Sequence, residues 1–437
     1  MKTGRIWRRL TVAALLAAFA FSTFAAGQQW SVPGSGLPRD KPEDIIARKS
    51  ALVTVDQLEQ AVAAAHGKPD KKVEEKLGNL ELTERLSTAR LKHLLADLPG
   101  EKSRLALVAL ADASAFLDLP AKEILSNAAP DAATQGQIMS RAVDFVLATV
   151  SKMPNFFAIE TTTRFQDMKV PSVGSQTIFF PIQGFLVMDK HSTTVTYRNG
   201  QEVMEAPVDT KHKSNKSSTA GLTTQGVFGQ LLDTAMGNIR HGKVTWDHWE
   251  QGPAGPLAVF HYAVPQDKSS YLVQYCCFQS EWGDMRAFRA IPGYHGEIAI
   301  DPASGAVLRL LLKTDLRPEL PMKRSDQLVE YGPVEIGGKT YICPLKSISI
   351  TKAKALASHG STFDASRKNN SGSPAGNESK PAETVRDLAV TAINDVVFEN
   401  YHLFRAEVRI LSEDSPETEG KAPASVPAAA SETAPKR

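Results

Sequence analysis

The pattern of apolar residues changes at Asn155, and this change constrains the fold more than any other feature of the sequence. Before Asn155, apolar side chains recur every three or four residues, which is typical of amphipathic helices. After it they alternate with polar ones, as from Phe157 to Phe165, which is typical of strands with one buried face. A run of helices followed by a run of strands predicts an α+β fold with a large, mostly antiparallel sheet.

The helical part begins with a potential capping pair, Thr54 and Gln57, and ends near Pro154. Leucine recurs at helical spacing between 82 and 98, and Asp131 is placed to cap a last long helix. We expect these short helices to pack as a small bundle ahead of the sheet. One more helix, in GVFGQLLDTAMG, is inserted among the predicted strands.

Turn residues predict several hairpins. Asn199-Gly200 and Gly337-Gly338 are typical of tight two-residue turns. In GYHGEIAIDPASGAVLRLLL, Asp301 is placed to accept hydrogen bonds from the backbone of a turn. His295 and Glu297 have the same parity on the preceding strand, but no third ligand has motif spacing, so we interpret the stretch as structural.

A second polar stretch, KVTWDHWEQG, also contains candidate ligands. Simple alternation places Asp247 and Trp249 on one face of a strand. His248 and Glu250 then face the other way, and two ligands do not make a zinc site. The sequence has no nucleotide-binding, serine-hydrolase or zinc-peptidase motif. We therefore predict no catalytic residue, no metal and no cofactor.

The first residues combine a basic segment with an apolar core from Leu10 to Phe21 and small residues just after it. This is the pattern of a cleaved secretory signal peptide, so we expect a periplasmic or secreted protein. No other apolar run is long enough for a membrane-spanning helix. Lys and Arg number 50 against 48 Asp and Glu. This balance argues against a nucleic-acid partner.

The chain has three cysteines, Cys276, Cys277 and Cys343. Export would place them in an oxidising compartment, where a disulfide is stable. Adjacent residues on a strand face opposite ways, so at most one of the adjacent pair can reach Cys343. We expect one disulfide, between Cys343 and either Cys276 or Cys277.

Two segments rich in small and polar residues cannot bury a core, which predicts a flexible loop and a disordered tail. The predicted organisation is a signal peptide at 1–26, a linker at 27–50, a helical domain at 51–153, a β domain at 155–411 with a flexible loop at 354–384, and a tail at 412–437.

Three stretches of the β domain are GYHGEIAIDPASGAVLRLLL, VEYGPVEIGGKTYICPLKSISI and NDVVFENYHLFRAEVRIL. Together they resemble the periplasmic lipoprotein-carrier superfamily, which includes the N-terminal domain of an envelope-stress regulator. The whole chain also resembles secreted bacterial proteins of the same layout. The resemblance implies an antiparallel half-barrel whose concave side is closed by helices and accepts acyl chains.

The function implied by this resemblance is the binding of an apolar ligand, either a lipid or the acyl chains of a lipoprotein. The residues expected to line the cavity are Phe157, Ile159, Phe185 and Val187 on strands and Val227, Phe228 and Leu231 on the covering helix. The same side chains could instead fill a dry core. The alternative function is an envelope scaffold or sensor that binds other proteins through the helical domain and the sheet edges.

Overall fold

The structure is a computed structural model. It describes residues 50–150, 152–169, 172–173, 176–177, 180–204, 221–222, 226–279, 285–354 and 389–404. The predicted signal peptide and tail lie outside these ranges, as do all but one residue of the predicted linker and of the predicted flexible loop.

Six α-helices lie in the described part of the chain. They are α1 (Val55–Ala63), α2 (Asp70–Gly78), α3 (Thr88–Ala96), α4 (Glu101–Ser114), α5 (Ala132–Val150) and α6 (Gln230–Ile239). Thr54 and Gln57 form the predicted capping box at the start of α1. The Asp131 carboxylate accepts a hydrogen bond from the Thr134 amide at 2.7 Å, so the predicted cap of α5 is also confirmed.

The strands form one large sheet and three small ones. They are β1 (Ala51–Val53), β2 (Leu80–Leu82), β3 (Ile124–Leu125), β4 (Phe156–Lys169), β5 (Ser172–Val173), β6 (Gln176–Thr177), β7 (Phe180–Arg198), β8 (Gln201–Met204), β9 (Gly221–Leu222), β10 (Lys243–Gln251), β11 (Pro256–Val264), β12 (Val273–Gln279), β13 (Met285–Ala290), β14 (Gly293–Ile300), β15 (Val307–Asp315), β16 (Met322–Ile336), β17 (Lys339–Lys354) and β18 (Ala389–Leu403).

The large sheet has 11 strands in the order β3-β10-β11-β14-β15-β16-β17-β18-β4-β7-β8. Every neighbouring pair in it is antiparallel. A three-stranded sheet, β13-β12-β9, lies apart from it, and β1 with β2 and β5 with β6 form isolated pairs. The predicted α+β fold with a large antiparallel sheet is confirmed.

Turn chemistry fixes three of the hairpins. Asn199 and Gly200 have φ angles of 53° and 80°, which the tight turn between β7 and β8 requires. Gly337-Gly338 makes the corresponding turn between β16 and β17. Between β14 and β15, the Asp301 carboxylate accepts a hydrogen bond from the Ala303 amide at 3.1 Å. All three predicted turns are confirmed.

One face of the large sheet, which we call the α5/α6 face, is covered by α5 and α6. Helix α5 contributes Ile138, Ala142 and Val146 to its core. The turn before α6 contributes Phe228, whose ring contacts the rings of several strand aromatics, Phe156, Tyr197, Phe398 and Tyr401. Burial of these apolar surfaces is what attaches the two helices to the sheet.

The opposite face of the sheet, which we call the α4 face, is covered by α4. Ala109 and Phe116, on and just after α4, pack against Phe165, Leu311 and Ile348. The other side of α4 joins α1, α2 and α3 in a cluster made mostly of leucines. Because α4 and α5 bury apolar surface on opposite faces of the sheet, the described helices do not stand apart as the predicted separate domain. None of the described helices is both long and apolar enough to cross a lipid bilayer.

The predicted disulfide to Cys343 is wrong. Cys343, on β17, is a free thiol that is fully buried in the core of the α5/α6 face. Burial raises the pKa of this thiol to about 12, which keeps it protonated and unreactive. Cys276 lies on β12 in the three-stranded sheet and is disulfide-bonded. The two regions belong to different sheets, which strand patterns alone do not reveal.

Candidate functional site

A cavity of 640 Å³ lies between α6, the three-stranded sheet and strands β16 and β17. We call it the β12 cavity. Its apolar side is formed by Leu231 of α6 together with Tyr271, Val273 and Phe288 from β12, β13 and the segment before them. These side chains give the cavity an aromatic and aliphatic wall against which an apolar chain could pack.

The opposite wall of the β12 cavity is polar. Ser325 and Gln327 of β16 line it together with Ser349 of β17, which pairs with Gln327 in the sheet register. Leu328 and Ile348, which adjoin Gln327 and Ser349 along the two strands, pack on the α4 face. Both faces of these strands are therefore buried. Aliphatic side chains point to the α4 face, and polar side chains on the other face line the β12 cavity.

Gln327 is the polar residue of this wall that most clearly points to a ligand. Its Oε1 accepts a hydrogen bond of 3.4 Å from the Tyr271 hydroxyl. Its Nε2 is buried and has no hydrogen-bond partner among the described residues. A buried donor without a partner costs about 1–3 kcal/mol, so a ligand that accepts this hydrogen bond would relieve that cost.

The predicted ligand-binding residues of the helix do come together. Val227, Phe228 and Leu231 are buried in the core of the α5/α6 face. The space left beside Phe228 is only 20 Å³, about the volume that one water probe occupies. Their own neighbours therefore fill this core, and Leu231 alone of the three also lines the β12 cavity.

The predicted ligand-binding residues of the strands lie elsewhere. Phe156 and Ala158 point into the core of the α5/α6 face, so Phe157 and Ile159 face the other way. Phe185 packs with the cluster of the α4 face. Val187 is 42% exposed. The structure therefore does not bring the seven residues together in one site. On β4, the side chains that face the core begin at Phe156, one residue earlier than predicted.

A second group of functional side chains, which we call the polar cluster, is buried on the α4 face. It consists of Arg85, Glu250, Glu297 and Arg309. Arg309 binds Glu250 in a bidentate ion pair, at 2.5 Å and 2.6 Å, and lies 3.4 Å from Glu297. Arg85, from the segment between β2 and α3, lies 3.2 Å from Glu250 and 3.3 Å from Glu297. The two motif stretches GYHGE and WDHWE thus meet in space.

A β-bulge at Asp247 corrects the predicted alternation of β10. The register pairs Trp246 with Phe260 but His248 with Val259, so Asp247 is an extra residue. Trp246 and Trp249 both pack on the core of the α5/α6 face. Asp247 therefore shares the side of His248 and Glu250, and its Oδ2 lies 2.7 Å from the Nδ1 of His248.

Charge and burial set the protonation of this region. Burial alone would raise the pKa of Glu250, but its contacts with His248 and Arg309 hold that pKa well below its usual range. Burial alone would lower the pKa of His248, but its contacts with Glu250, at 3.8 Å, and with Asp247, at 2.7 Å, raise it. At neutral pH Glu250 is therefore a carboxylate.

A third buried group joins α4 to the sheet. The Nζ of Lys346 on β17 lies 2.7 Å from the Oδ1 of Asp112 on α4 and 3.1 Å from the Oδ1 of Asp395 on β18. Burial, and then the charge of Asp395, raises the pKa of Asp112 to about 7 against the attraction of Lys346. The two carboxylates raise the pKa of Lys346 despite its burial. This group therefore titrates near neutral pH through Asp112.

The raised pKa of Asp112 predicts a pH-dependent stability. The folded state holds a proton that the unfolded state releases above about pH 4, so unfolding becomes easier as pH rises from about 4 to 7. In the wild type, the free energy of unfolding should fall by on the order of 1–4 kcal/mol across that range, and Asp112→Asn is expected to abolish this fall. Urea denaturation across that pH range measures it.

The matched control for this experiment is Asp267→Asn, which changes an aspartate whose side chain is largely exposed. It is expected to leave the pH profile of the wild type unchanged. Glu202, whose pKa burial also raises to about 7, accounts for a remaining slope of the same sign. If Asp112→Asn kept the full slope, Asp112 would not be the titrating group.

The sequence analysis did not identify the central residues of the β12 cavity and of the polar cluster. Gln327 could have been noticed because SDQLV and KSISI place small polar residues opposite aliphatic ones in strands without an exposed face. Arg309 interrupts the apolar stretch VLRLLL, which is a signal for a buried ion pair. Nothing in the local sequence marks Arg85.

No family model matches the chain, and neither a curated protein nor a solved structure matches it.

Proposed function

We propose that the protein binds an apolar ligand, a lipid or the acyl chains of a lipoprotein, in the β12 cavity. The observation that carries this proposal is the cavity itself, whose 640 Å³ falls in the range of about 300–1,000 Å³ usual for ligand pockets. Its wall of Leu231, Val273 and Phe288 offers apolar surface. Each methylene group buried there would contribute about 0.8 kcal/mol.

The polar wall adds a preference for an amphiphilic ligand. The free Nε2 donor of Gln327 can donate to an ester or carboxyl oxygen, and the hydroxyl of Ser325 lies on the same strand face. An acyl chain would then pack on the apolar wall while its carbonyl end meets Gln327. This arrangement satisfies the buried donor, which a purely hydrocarbon ligand would leave unpaired.

The proposal extends to the fold type and the cellular location. The large sheet would be a half-barrel of the lipoprotein-carrier type, with α5 and α6 closing one face and α1 to α4 forming a small bundle on the other. The basic and apolar pattern of the first residues supports a periplasmic or secreted location. The ligand would lie beside α6 rather than beneath it, because only 20 Å³ remains beneath.

Native mass spectrometry of the protein purified from its own host tests this function. We expect an added mass that solvent extraction releases as an acyl-containing species. Leu272→Asp is expected to abolish the adduct, because Leu272 lines the cavity and is 46% exposed, so a carboxylate there disrupts binding at little cost to folding. Gln327→Leu is expected to reduce occupancy by removing the hydrogen-bond donor.

Ile291→Asp is the matched control, because Ile291 is 47% exposed and does not line the cavity. It should retain the adduct. An unliganded mass for the wild type, or an adduct that persists in Leu272→Asp, would rule out ligand binding in this cavity.

A scaffold function is the second candidate, and one observation favours it. Leu186, Val187 and Met188 on β7 are 37%, 42% and 47% exposed, one strand away from the edge strand β8. Exposed apolar groups near a sheet edge are typical of surfaces that bind other proteins. An unliganded wild-type mass would leave this candidate standing.

A further inference from the structure

A second cavity, of 300 Å³, opens beside the polar cluster. Glu297, His261 and His295 line it, and all three come from the neighbouring strands β11 and β14. Asp247, at the bulge of β10, lies against His261. The cavity therefore brings the bulge and the stretch GYHGE to one place.

Three potential metal ligands converge beside this cavity. Asp247, His261 and Glu297 each offer one ligand atom, and these atoms all lie within 4.8 Å of one another. The Nε2 of His261 is 3.1 Å from the Oδ2 of Asp247. Ligand atoms around a tetrahedral zinc ion are separated by about 3.3 Å, so a small inward movement would complete the geometry.

Neighbouring groups hold these side chains in place. The Nδ1 of His248 lies 2.7 Å from Asp247 and orients its carboxylate. Arg85 and Arg309 both donate to the Oε2 of Glu297, which leaves its Oε1 for another partner. Carboxylates and histidines around a metal site are commonly fixed in this way by a second set of contacts.

The carboxylates of the region differ in the groups that pair with them. Asp247, Glu250 and Glu297 supply three carboxylates, and Arg85 and Arg309 supply two guanidinium groups. The arginines pair with Glu250 and Glu297, whereas Asp247 contacts the imidazoles of His248 and His261. That carboxylate is only partly buried and faces the histidines.

We infer that Asp247, His261 and Glu297 bind one divalent transition-metal ion. One imidazole nitrogen and two carboxylate oxygens suit Zn²⁺, Mn²⁺ or Fe²⁺, and three protein ligands leave positions open towards the cavity. The prediction of no metal rested on strand alternation and on the lack of a third ligand with motif spacing. The bulge at Asp247 breaks the alternation, and His261 on the neighbouring strand supplies a ligand that motif spacing does not show, so this inference replaces that prediction.

The open positions face groups that could act on a metal-bound ligand. His295 lines the same cavity, and its Nδ1 lies 2.8 Å from Asp315, which directs the other ring nitrogen away from that carboxylate. Lys243 and Lys313 also line the cavity. Asp118 lines it too, so two lysines face one further carboxylate, and their excess charge would favour an anionic ligand at the open positions of the metal.

Calorimetric titration of the full-length, chelator-treated protein with Zn²⁺ tests this site, with Mn²⁺ as a second probe. We expect one equivalent to bind. Asp247→Asn and His261→Ala should each weaken binding at least about 10-fold, since losing a ligand should cost no less than losing a supporting contact. His295→Ala should keep one equivalent bound, because His295 is not a ligand.

His241→Ala is the control for loss of a surface histidine, since His241 is exposed and lies outside the cluster. Thermal melting identifies any variant that fails to fold. X-ray absorption of the zinc-loaded wild type does not depend on variants and should show nitrogen and oxygen ligands without sulfur. No saturable binding, unchanged affinity in both ligand variants, or sulfur in the coordination shell would overturn the inference.

Discussion

Replacement of Phe228 by alanine is expected to lower the free energy of unfolding by about 3–5 kcal/mol. The ring is 1% exposed and contacts Phe398 at 4.9 Å and Phe156 at 5.5 Å between ring centroids. The surrounding core is already filled, with 20 Å³ left beside the ring, so its removal opens a cavity that neighbours cannot easily close. Urea denaturation at neutral pH measures the change.

Phe157→Ala is the matched control, since it also removes a phenylalanine ring. Phe157 follows Phe156 on β4 but faces away from the core that holds Phe228. Phe157 is only half-buried and its ring contacts His402 at 5.3 Å, so a loss of about 1–2 kcal/mol is expected. Equal losses for the two variants, or a neutral Phe228→Ala, would show that Phe228 does not fill the core. Because Phe228→Ala destabilises the fold, loss of ligand binding in this variant would not show that the ligand binds at Phe228.

Arg309→Met is expected to cost about 3–5 kcal/mol, because it leaves buried carboxylates without their main partner. Arg309 makes the bidentate contact with Glu250, and only Arg85 would remain between Glu250 and Glu297. The added substitution Glu250→Gln should recover part of the loss, since it removes the uncompensated charge. Urea denaturation of the single and double variants measures both effects.

Arg90→Met provides the comparison for Arg309. Arg90 also meets several carboxylates, those of Asp56, Glu59 and Glu123, at 3.3–3.4 Å. Its side chain is 25% exposed, so water screens these pairs and a loss of at most about 1 kcal/mol is expected. If Arg309→Met cost no more than Arg90→Met, the polar cluster would contribute little to stability.

The parts of the fold that follow local rules could be predicted from the sequence. Thr54 caps its helix and Asn199-Gly200 makes its hairpin because the backbone geometry at each point depends on nearby residues alone. The location of α4 and α5 on opposite faces of the sheet could not be predicted. Periodicity shows that a helix has a buried face, but it does not show which surface covers that face.

The candidate sites were hidden by two departures from simple alternation. The bulge at Asp247 moves a carboxylate to the side of His248, and a strand pattern without the partner strand does not show an inserted residue. The spacing of Trp246 and Trp249 was the available hint, because two inward residues three apart do not fit a regular strand. Gln327 was overlooked because a polar residue on a strand usually faces water, whereas here it faces a cavity.

The position of β18 in the large sheet has a consequence for how the chain assembles. β18 is the last described strand along the chain, yet it lies between β17 and β4 in the interior of the sheet. The Thr391 amide donates to the Asp167 carboxylate across 224 residues of sequence. Without β18, the described strands of the large sheet would form two separate sheets, one of seven strands and one of three, with β17 and β4 left as open edges. Pairing across such long separations is slow, and open edges attract other chains, so a newly made chain needs protection until β18 joins the two sheets.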